Sequence, residues 1–207
     1  MPLPPLVLAS TSPFRRELLE RLGLPFATAS PDVDESARPG EAAEQLVLRL
    51  AEAKARAVAD AYPDALIIGS DQVAELGGAV LGKPGDRERA IEQLSRVSGQ
   101  TVVFRTGLCL LRAADGRVQR ACEPFEVHFR TLTRAQIAAY VDREQPFGCA
   151  GSFKAEGLGI ALFERLEGAD PNALIGLPLI RLVGMLAAEG VDVLTAPLDS
   201  ASDSRGT

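Results

Sequence analysis

The chain opens with a short apolar run, Leu6 to Ala9, with prolines before it and Ser10-Thr11-Ser12 after it. A run of this length between turn residues predicts a buried strand. Ser12 then fits the N-cap of a helix, with Pro13 at its first helical position. Leu18, Leu19 and Leu22 give that helix an apolar face, and Gly23 ends it. Pro25 to Ala29 reads as a second strand, and Pro31 to Gly40 as a polar, turn-rich loop. From Glu41 to Ala61 apolar residues recur at threes and fours, at Ala43, Val47, Leu50, Ala57 and Ala61, which predicts a long amphipathic helix. Ala65 to Gly69 is a third apolar strand, running straight into Ser70-Asp71-Gln72.

Gly77-Gly78 marks a hairpin turn, and Gly82-Lys83-Pro84 a loop. Arg87 to Ser98 reads as a helix ended by Gly99. Thr101 to Leu111 and Val118 to Phe129 read as two long strands around the turn Asp115-Gly116. Arg134 to Arg143 is a helix, Gly148 to Gly159 a glycine-rich stretch, and Pro178 to Ala188 a final helix. Strands and helices alternate first and paired strands follow, so the expected fold is α/β with a sheet of mixed strand directions. With no internal repeat and no long linker, residues 1–195 read as one domain and 196–207 as a flexible tail.

Composition narrows the function classes. A net charge of -6 argues against a protein that coats nucleic acid, although a local basic pocket for a small phosphorylated ligand is compatible with it. The three cysteines, Cys109, Cys122 and Cys149, are odd in number and match no zinc spacing, which points to ordinary thiols in a reduced cytoplasmic protein. The single histidine, His128, lies in a strand pattern and is not expected to partner a catalytic cysteine. The N-terminus lacks the basic region of a signal peptide, and no window approaches a membrane span, so no membrane partner is expected.

Several positions carry candidate chemistry. Arg15 and Arg16 fall in the first turn of the first helix, where each cation is misplaced by ~0.3–1 kcal/mol. A bound phosphate would reverse that sign, held by Ser10, Thr11 and Ser12 hydroxyls, free N–H groups and the guanidiniums. The alternative pairs Arg16 with Glu20 and leaves Arg15 in solvent. Lys54 falls on the apolar stripe of the long helix; it either snorkels to the edge or points into a site where anions neutralise it. Asp71 follows a buried strand, where α/β sheets bind ligands, and could hold a metal or take a proton from water; the alternative is a turn aspartate. Asp32, Asp34 and Glu35 form an acidic cluster, either solvated or sharing a magnesium ion with Asp71. Lys83 lacks the spacing of a Walker motif. Lys154 and Glu156 lie between Gly151 and Gly157, where backbone can approach a ligand closely. Together these groups suit metal-assisted attack of water on a polyphosphate.

The stretch Leu8-Ala9-Ser10-Thr11-Ser12-Pro13-Phe14-Arg15-Arg16-Glu17-Leu18-Leu19 resembles the N-terminal signature of the Maf family of nucleotide pyrophosphatases. So do Asp34-Glu35, Lys54, Gly69-Ser70-Asp71-Gln72, Leu81-Gly82-Lys83-Pro84, Ser98-Gly99, Thr106-Gly107, Gly151-Ser152-Phe153-Lys154-Ala155-Glu156-Gly157 and Gly176-Leu177-Pro178-Leu179. The resemblance spans roughly Leu6 to Gly190, with the motifs in the right order. It implies a curved, mixed sheet flanked by helices like that of the inosine triphosphate pyrophosphatases, two lobes around a cleft, and a homodimer. It also implies hydrolysis of a nucleoside triphosphate between the α and β phosphates with a divalent metal, magnesium or manganese. By the same resemblance Asp71 is the expected proton acceptor, Glu35 and Asp71 the metal ligands, and Ser10, Ser12, Phe14, Arg15, Lys54, Gln72, Lys83, Lys154 and Glu156 the substrate pocket.

Phe14, Gln72 and Lys154 fall at positions that resemble the family's discriminators of base. An aromatic, a glutamine and a lysine there resemble the branch acting on 7-methyl-GTP; an arginine, a threonine and a glutamine would resemble the branch acting on dTTP and UTP. Phe14 stands where the first branch often carries tryptophan, yet it keeps an aromatic face for a cationic methylated base, worth ~0.5–2 kcal/mol. The other readings open to the sequence are the same chemistry on a different or damaged base, and a nucleotide-binding regulator of cell division without turnover.

Overall fold

The computed structural model describes residues 3–196. The expected tail, apart from Ala196, lies outside the described residues. The strands are β1 (Leu6–Ala9), β2 (Ala27–Ala29), β3 (Leu66–Leu76), β4 (Ala79–Leu81), β5 (Thr101–Arg112), β6 (Arg117–Phe129) and β7 (Phe163–Gly168). The helices are α1 (Pro13–Glu20), α2 (Ala43–Ala57), α3 (Arg87–Val97), α4 (Arg134–Glu144), α5 (Pro171–Ile175) and α6 (Leu179–Ala188). The strands form one 7-stranded sheet in the order β2-β1-β3-β5-β6-β7, with β4 on β3. β1 is parallel to β2 and β3, and every later pair is antiparallel, which is the mixed α/β sheet the alternation predicted.

The period of two along β1, β3 and β5 distributes their side chains to two layers. Leu6, Leu8, Leu66, Ile68, Leu108 and Leu110 pack against leucines of α1 and α6. Val7, Ala9, Ile67, Cys109 and Leu111 face α2, with Ala51 and Ala55. A separate core joins α3 and α4 to the far ends of β5 and β6, where Phe104, Phe129, Phe153 and Phe163 meet edge to face.

Two expectations need correction. β3 does not stop at Gly69 but continues through Ser70-Asp71-Gln72 to Leu76, so Asp71 lies within a strand rather than at its end. The polar residues resembled a turn, yet β5 carries the ladder past them, pairing Asp71 with Gly107 and Gln72 with Thr106. The helix expected over Glu41–Ala61 is α2 plus a separate 3-10 turn at Ala59–Ala61. β7 and α5 had no periodic signal and were not anticipated. Ser12 does cap α1, accepting from the Arg15 N–H, with Pro13 in the first turn. Gly77 and Gly78, both at positive φ, make the two-residue β3–β4 turn.

Two glycines let α2 lie unusually close to the sheet. A Cβ on Gly69 would stand 2.0 Å from the Ala51 carbonyl oxygen, and one on Gly107 would stand 2.3 Å from that of Val47. Replacing glycine by alanine restricts the unfolded chain and favours folding by ~0.4–1 kcal/mol. Forcing a packed helix off its sheet costs ~1–3 kcal/mol, so the clash wins. Gly69→Ala is therefore expected to lower the urea midpoint of unfolding; an unchanged midpoint would show that α2 is not held at this distance.

Candidate active site

Beyond Gly69, β3 loses its neighbour on one side. Pairing with β1 ends at Ala9 opposite Gly69, and pairing with β4 begins only at Ala74 opposite Leu81. Ser70 to Val73 border this gap in the ladder, and a cleft of about 650 Å³ opens over it. That volume suits a small-molecule ligand. The chain leaving β1, the loop around Glu35, the loop after β4 and the segment Gly148–Glu156 all contribute walls.

Successive residues of β3 face opposite ways, and this sorts the polar groups. Asp71 points to the α2 side with Gly69 and Val73. There Lys54, only 6% exposed, donates from Nζ to Asp71 Oδ1 at 2.6 Å and meets Glu35 Oε1 at 2.5 Å. A buried ammonium is costly unless paired, and these two carboxylates supply the pairing. The close approach of α2 over Gly69 and Gly107 brings Lys54 within reach. The Lys54 hydrogen bond, opposed by partial burial, holds the Glu35 carboxyl below its ordinary value, so it is anionic at neutral pH. Among the described hydrogen bonds Asp71 Oδ2 takes no partner, which leaves it available to a ligand or to water.

On the other side of β3, α5 ends against the sheet and its terminal carbonyls find side-chain donors. Ser70 Oγ lies 2.9 Å from both the Gly107 and Gly176 carbonyl oxygens. Arg15 Nε donates to Gly176 O at 2.9 Å. Burial lowers the Arg15 pKa while Asp71 and Glu35 work in the opposite direction; a guanidinium stays charged regardless. Gln72 Nε2 lies 2.8 Å from Ala173 O, 3.0 Å from Leu174 O and 3.0 Å from Thr106 Oγ1. The two carbonyls can only accept, so the amide nitrogen must face them. Among the described hydrogen bonds the Gln72 carbonyl oxygen takes no partner, and Gln72 lines the cleft, so that oxygen can serve a ligand as an acceptor.

The cleft is lined by Ser10, Ser12, Phe14, Arg15, Glu35 and Lys54 from the first part of the sequence, and by Asp71, Gln72, Lys83 and Glu156 from the rest. Ser10 Oγ accepts from the Ser12 N–H at 3.1 Å, ordering the entry to α1. Lys154 is the exception among the expected pocket residues. Its Nζ donates to Glu144 O at 2.7 Å, at the C-terminal end of α4, and it does not line the cleft. The partial negative charge of that helix end favours an ammonium. Arg16 is also turned away, paired with exposed Glu20 at 2.9 Å, whereas Arg15 is half-buried and engages the Gly176 carbonyl. Asp32 and Asp34 do not reach the cleft, and Asp34 accepts from the Ser36 N–H. Sequence reading missed the α5 carbonyls. A signal was present: Ser70 and Gln72 on one face of a buried strand, with Thr106 beside them, require acceptors.

The donor set fits a hard divalent cation. Glu35 and Asp71 both reach Lys54 Nζ, so two carboxylates stand close together in the cleft, and magnesium is typically held by one or two carboxylates with phosphate oxygens and water completing the shell. Among the described residues the one trio of His, Asp or Glu close enough to share an ion is Glu126, His128 and Glu167. It lies where β6 meets β7, outside the cleft, with the Arg165 guanidinium 3.3 Å from His128 Nε2. Burial pushes the Cys109 thiol up to about 12 and the Cys122 thiol to about 11, and raises that of Cys149, which disfavours the reactive thiolate. No helix among the described residues is long and apolar enough to cross a membrane.

Comparison with known proteins places this geometry in a family. The solved Ham1 protein of Staphylococcus aureus superposes with a TM-score of 0.52 at 17% identity, over 89% of this chain and 98% of its own. That likeness concerns the fold alone, and it meets the expected resemblance to the inosine triphosphate pyrophosphatases. A protein of Alcanivorax borkumensis named 7-methyl-GTP pyrophosphatase is 63% identical over 92% of this chain and 96% of its own length. One of Pseudomonas aeruginosa with the same name is 60% identical over 92% of this chain and all of its own. The family model for Maf-like proteins matches residues 5–189, which takes in every wall of the cleft, and the chain belongs to that family.

Proposed function

We propose that this protein hydrolyses 7-methyl-GTP to 7-methyl-GMP and pyrophosphate. The observation that carries the reading is the buried Lys54 between Asp71 and Glu35 at the floor of a nucleotide-sized cleft. The names of the relatives at about 60% identity support the same reaction. In this account water attacks the α-phosphorus and pyrophosphate leaves. Asp71 accepts the proton of the attacking water, while Lys54 holds its Oδ1 and aims the carboxylate. Arg15 and Lys83 absorb the charge that develops on the phosphates. Ser10 and Ser12, at the positive end of α1, bind phosphate oxygens. Glu35 and Asp71 would hold the divalent cation, magnesium or manganese, which when bound polarises the phosphoryl oxygens.

The base is read by Phe14 and Gln72. The free acceptor of Gln72 suits the N–H donors on the Watson–Crick edge of a guanine. Phe14 offers a ring face to the positive charge of the methylated base. Glu156 lines the same cleft and could meet that charge or a ribose hydroxyl. Lys154 would join the pocket only by giving up the Glu144 carbonyl. We further read residues 1–195 as a single domain, its two halves flanking the cleft, working as a cytoplasmic homodimer.

The deciding experiment is a panel of canonical and methylated nucleoside triphosphates with magnesium or manganese, phosphate being detected after added inorganic pyrophosphatase. Preference for 7-methyl-GTP is expected. Preference for dTTP or UTP would overturn the base reading and keep the reaction; tight binding without turnover would favour a regulator. Phe14→Ala should raise KM for 7-methyl-GTP relative to GTP by the worth of a cation–π contact, ~2–30-fold. Equal changes for both nucleotides would remove the stacking argument.

A further inference from the structure

Glu35 reaches Lys54 from a segment with little to hold it in place. Asp34 to Gly40 has no regular structure, and all seven residues are exposed. An exposed loop of this length does not order itself by burial. Its order comes from Arg49, on the outer side of α2. Arg49 Nε donates to Glu41 Oε1 at 2.6 Å and Nη2 to Glu41 Oε2 at 2.7 Å, a two-pronged pair. Nη2 also donates to the Ser36 carbonyl at 3.0 Å, one peptide beyond Glu35. The far side of the loop closes on the same carboxylate, since the Arg38 N–H donates to Glu41 Oε2 at 3.0 Å and the Glu41 N–H to Arg38 O at 3.0 Å. The Glu41 side chain is 8% exposed despite its place at a loop end. The Arg49 contact is the largest cause of a Glu41 pKa of about 2, so the clasp stays charged across the physiological range.

We propose that Arg49, clasped by Glu41, is a positioning residue that sets where the Glu35 carboxylate stands relative to Lys54 and Asp71. Arg49 and Glu41 do not line the cleft, so they act through the loop and not on the nucleotide. The proposal rests on the functional reading of Glu35, and a double-mutant cycle separates the two. Arg49→Ala is expected to lower kcat for 7-methyl-GTP ~10–100-fold, the scale of a misplaced group, with a smaller change in KM. In a Glu35→Ala background the same substitution should change kcat by no more than about twofold, because the group it positions is gone. Arg49→Lys, which keeps the charge and loses the fork, should fail to rescue; Glu41→Gln should reproduce the loss from the other side.

An equal effect of Arg49→Ala in both backgrounds, or none in the wild type, would overturn the proposal. Hydrogen exchange gives an answer that does not depend on catalysis. The hydrogen-bonded backbone amides of Ser36 and Arg38 should exchange faster in Arg49→Ala while those of β3 keep their protection. Unchanged exchange would sink the clasp. Wild-type turnover by Glu35→Ala with faster loop exchange in Arg49→Ala would instead remove the catalytic reading of Glu35 and, with it, the positioning role.

Discussion

Lys54 is the constraint around which the cleft is arranged. An ammonium 6% exposed on the inner face of a helix would destabilise the fold if it stood alone. It does not, because Asp71 from the sheet and Glu35 from a loop meet it at 2.6 and 2.5 Å. A buried pair of this kind contributes little net stability over a well-packed apolar pair, while losing one partner costs ~3–5 kcal/mol. The arrangement is thus weakly justified as architecture and well justified as chemistry. It fixes one carboxylate oxygen of Asp71 and leaves the other free.

Two features of the backbone make the meeting geometrically available. Gly69 and Gly107 remove the Cβ atoms that would hold α2 away from the sheet, so a lysine on α2 can reach a strand aspartate. The gap between β1 and β4 leaves Ser70 to Val73 uncovered along one edge of β3. Strand alternation then presents Asp71 to the α2 side and Gln72 to the α5 side within one cleft. The α5 terminus completes the second side, because its carbonyls fix the amide of Gln72 and engage Arg15.

Much of this was legible in the sequence, for physical reasons that differ by element. The apolar runs of β1 and of β3 as far as Gly69 were clear because both faces of those strands are buried, and α1 was clear because its cap chemistry is local. The rest of β3 was not legible. Ser70, Asp71 and Gln72 look like a turn until their partners, Gly176, Lys54 and Ala173, are known, and those partners lie far away in the chain. β7 carries mostly exposed residues after Phe163, so it shows no buried alternation. Arg15, Lys54 and Asp71, which line the cleft, stood out because each is anomalous in its local setting: a cation at a helix start, a lysine on an apolar stripe, an acid after a buried strand; Phe14 and Gln72 carry no such anomaly and were singled out by the family resemblance alone. The carbonyl that Lys154 meets on α4 leaves no trace in the pattern of residues.

If Asp71 takes the proton from water, its carboxylate acts in the reaction and not merely in binding. Asp71→Asn keeps the shape of the side chain and an acceptor for Lys54, and removes the capacity to take a proton from water. The measurement is kcat for 7-methyl-GTP beside the calorimetric Kd of the same nucleotide. The account predicts that turnover falls ~100-fold or more while binding changes little. Equal losses in turnover and affinity, or a variant that turns over at the wild-type rate, would contradict it.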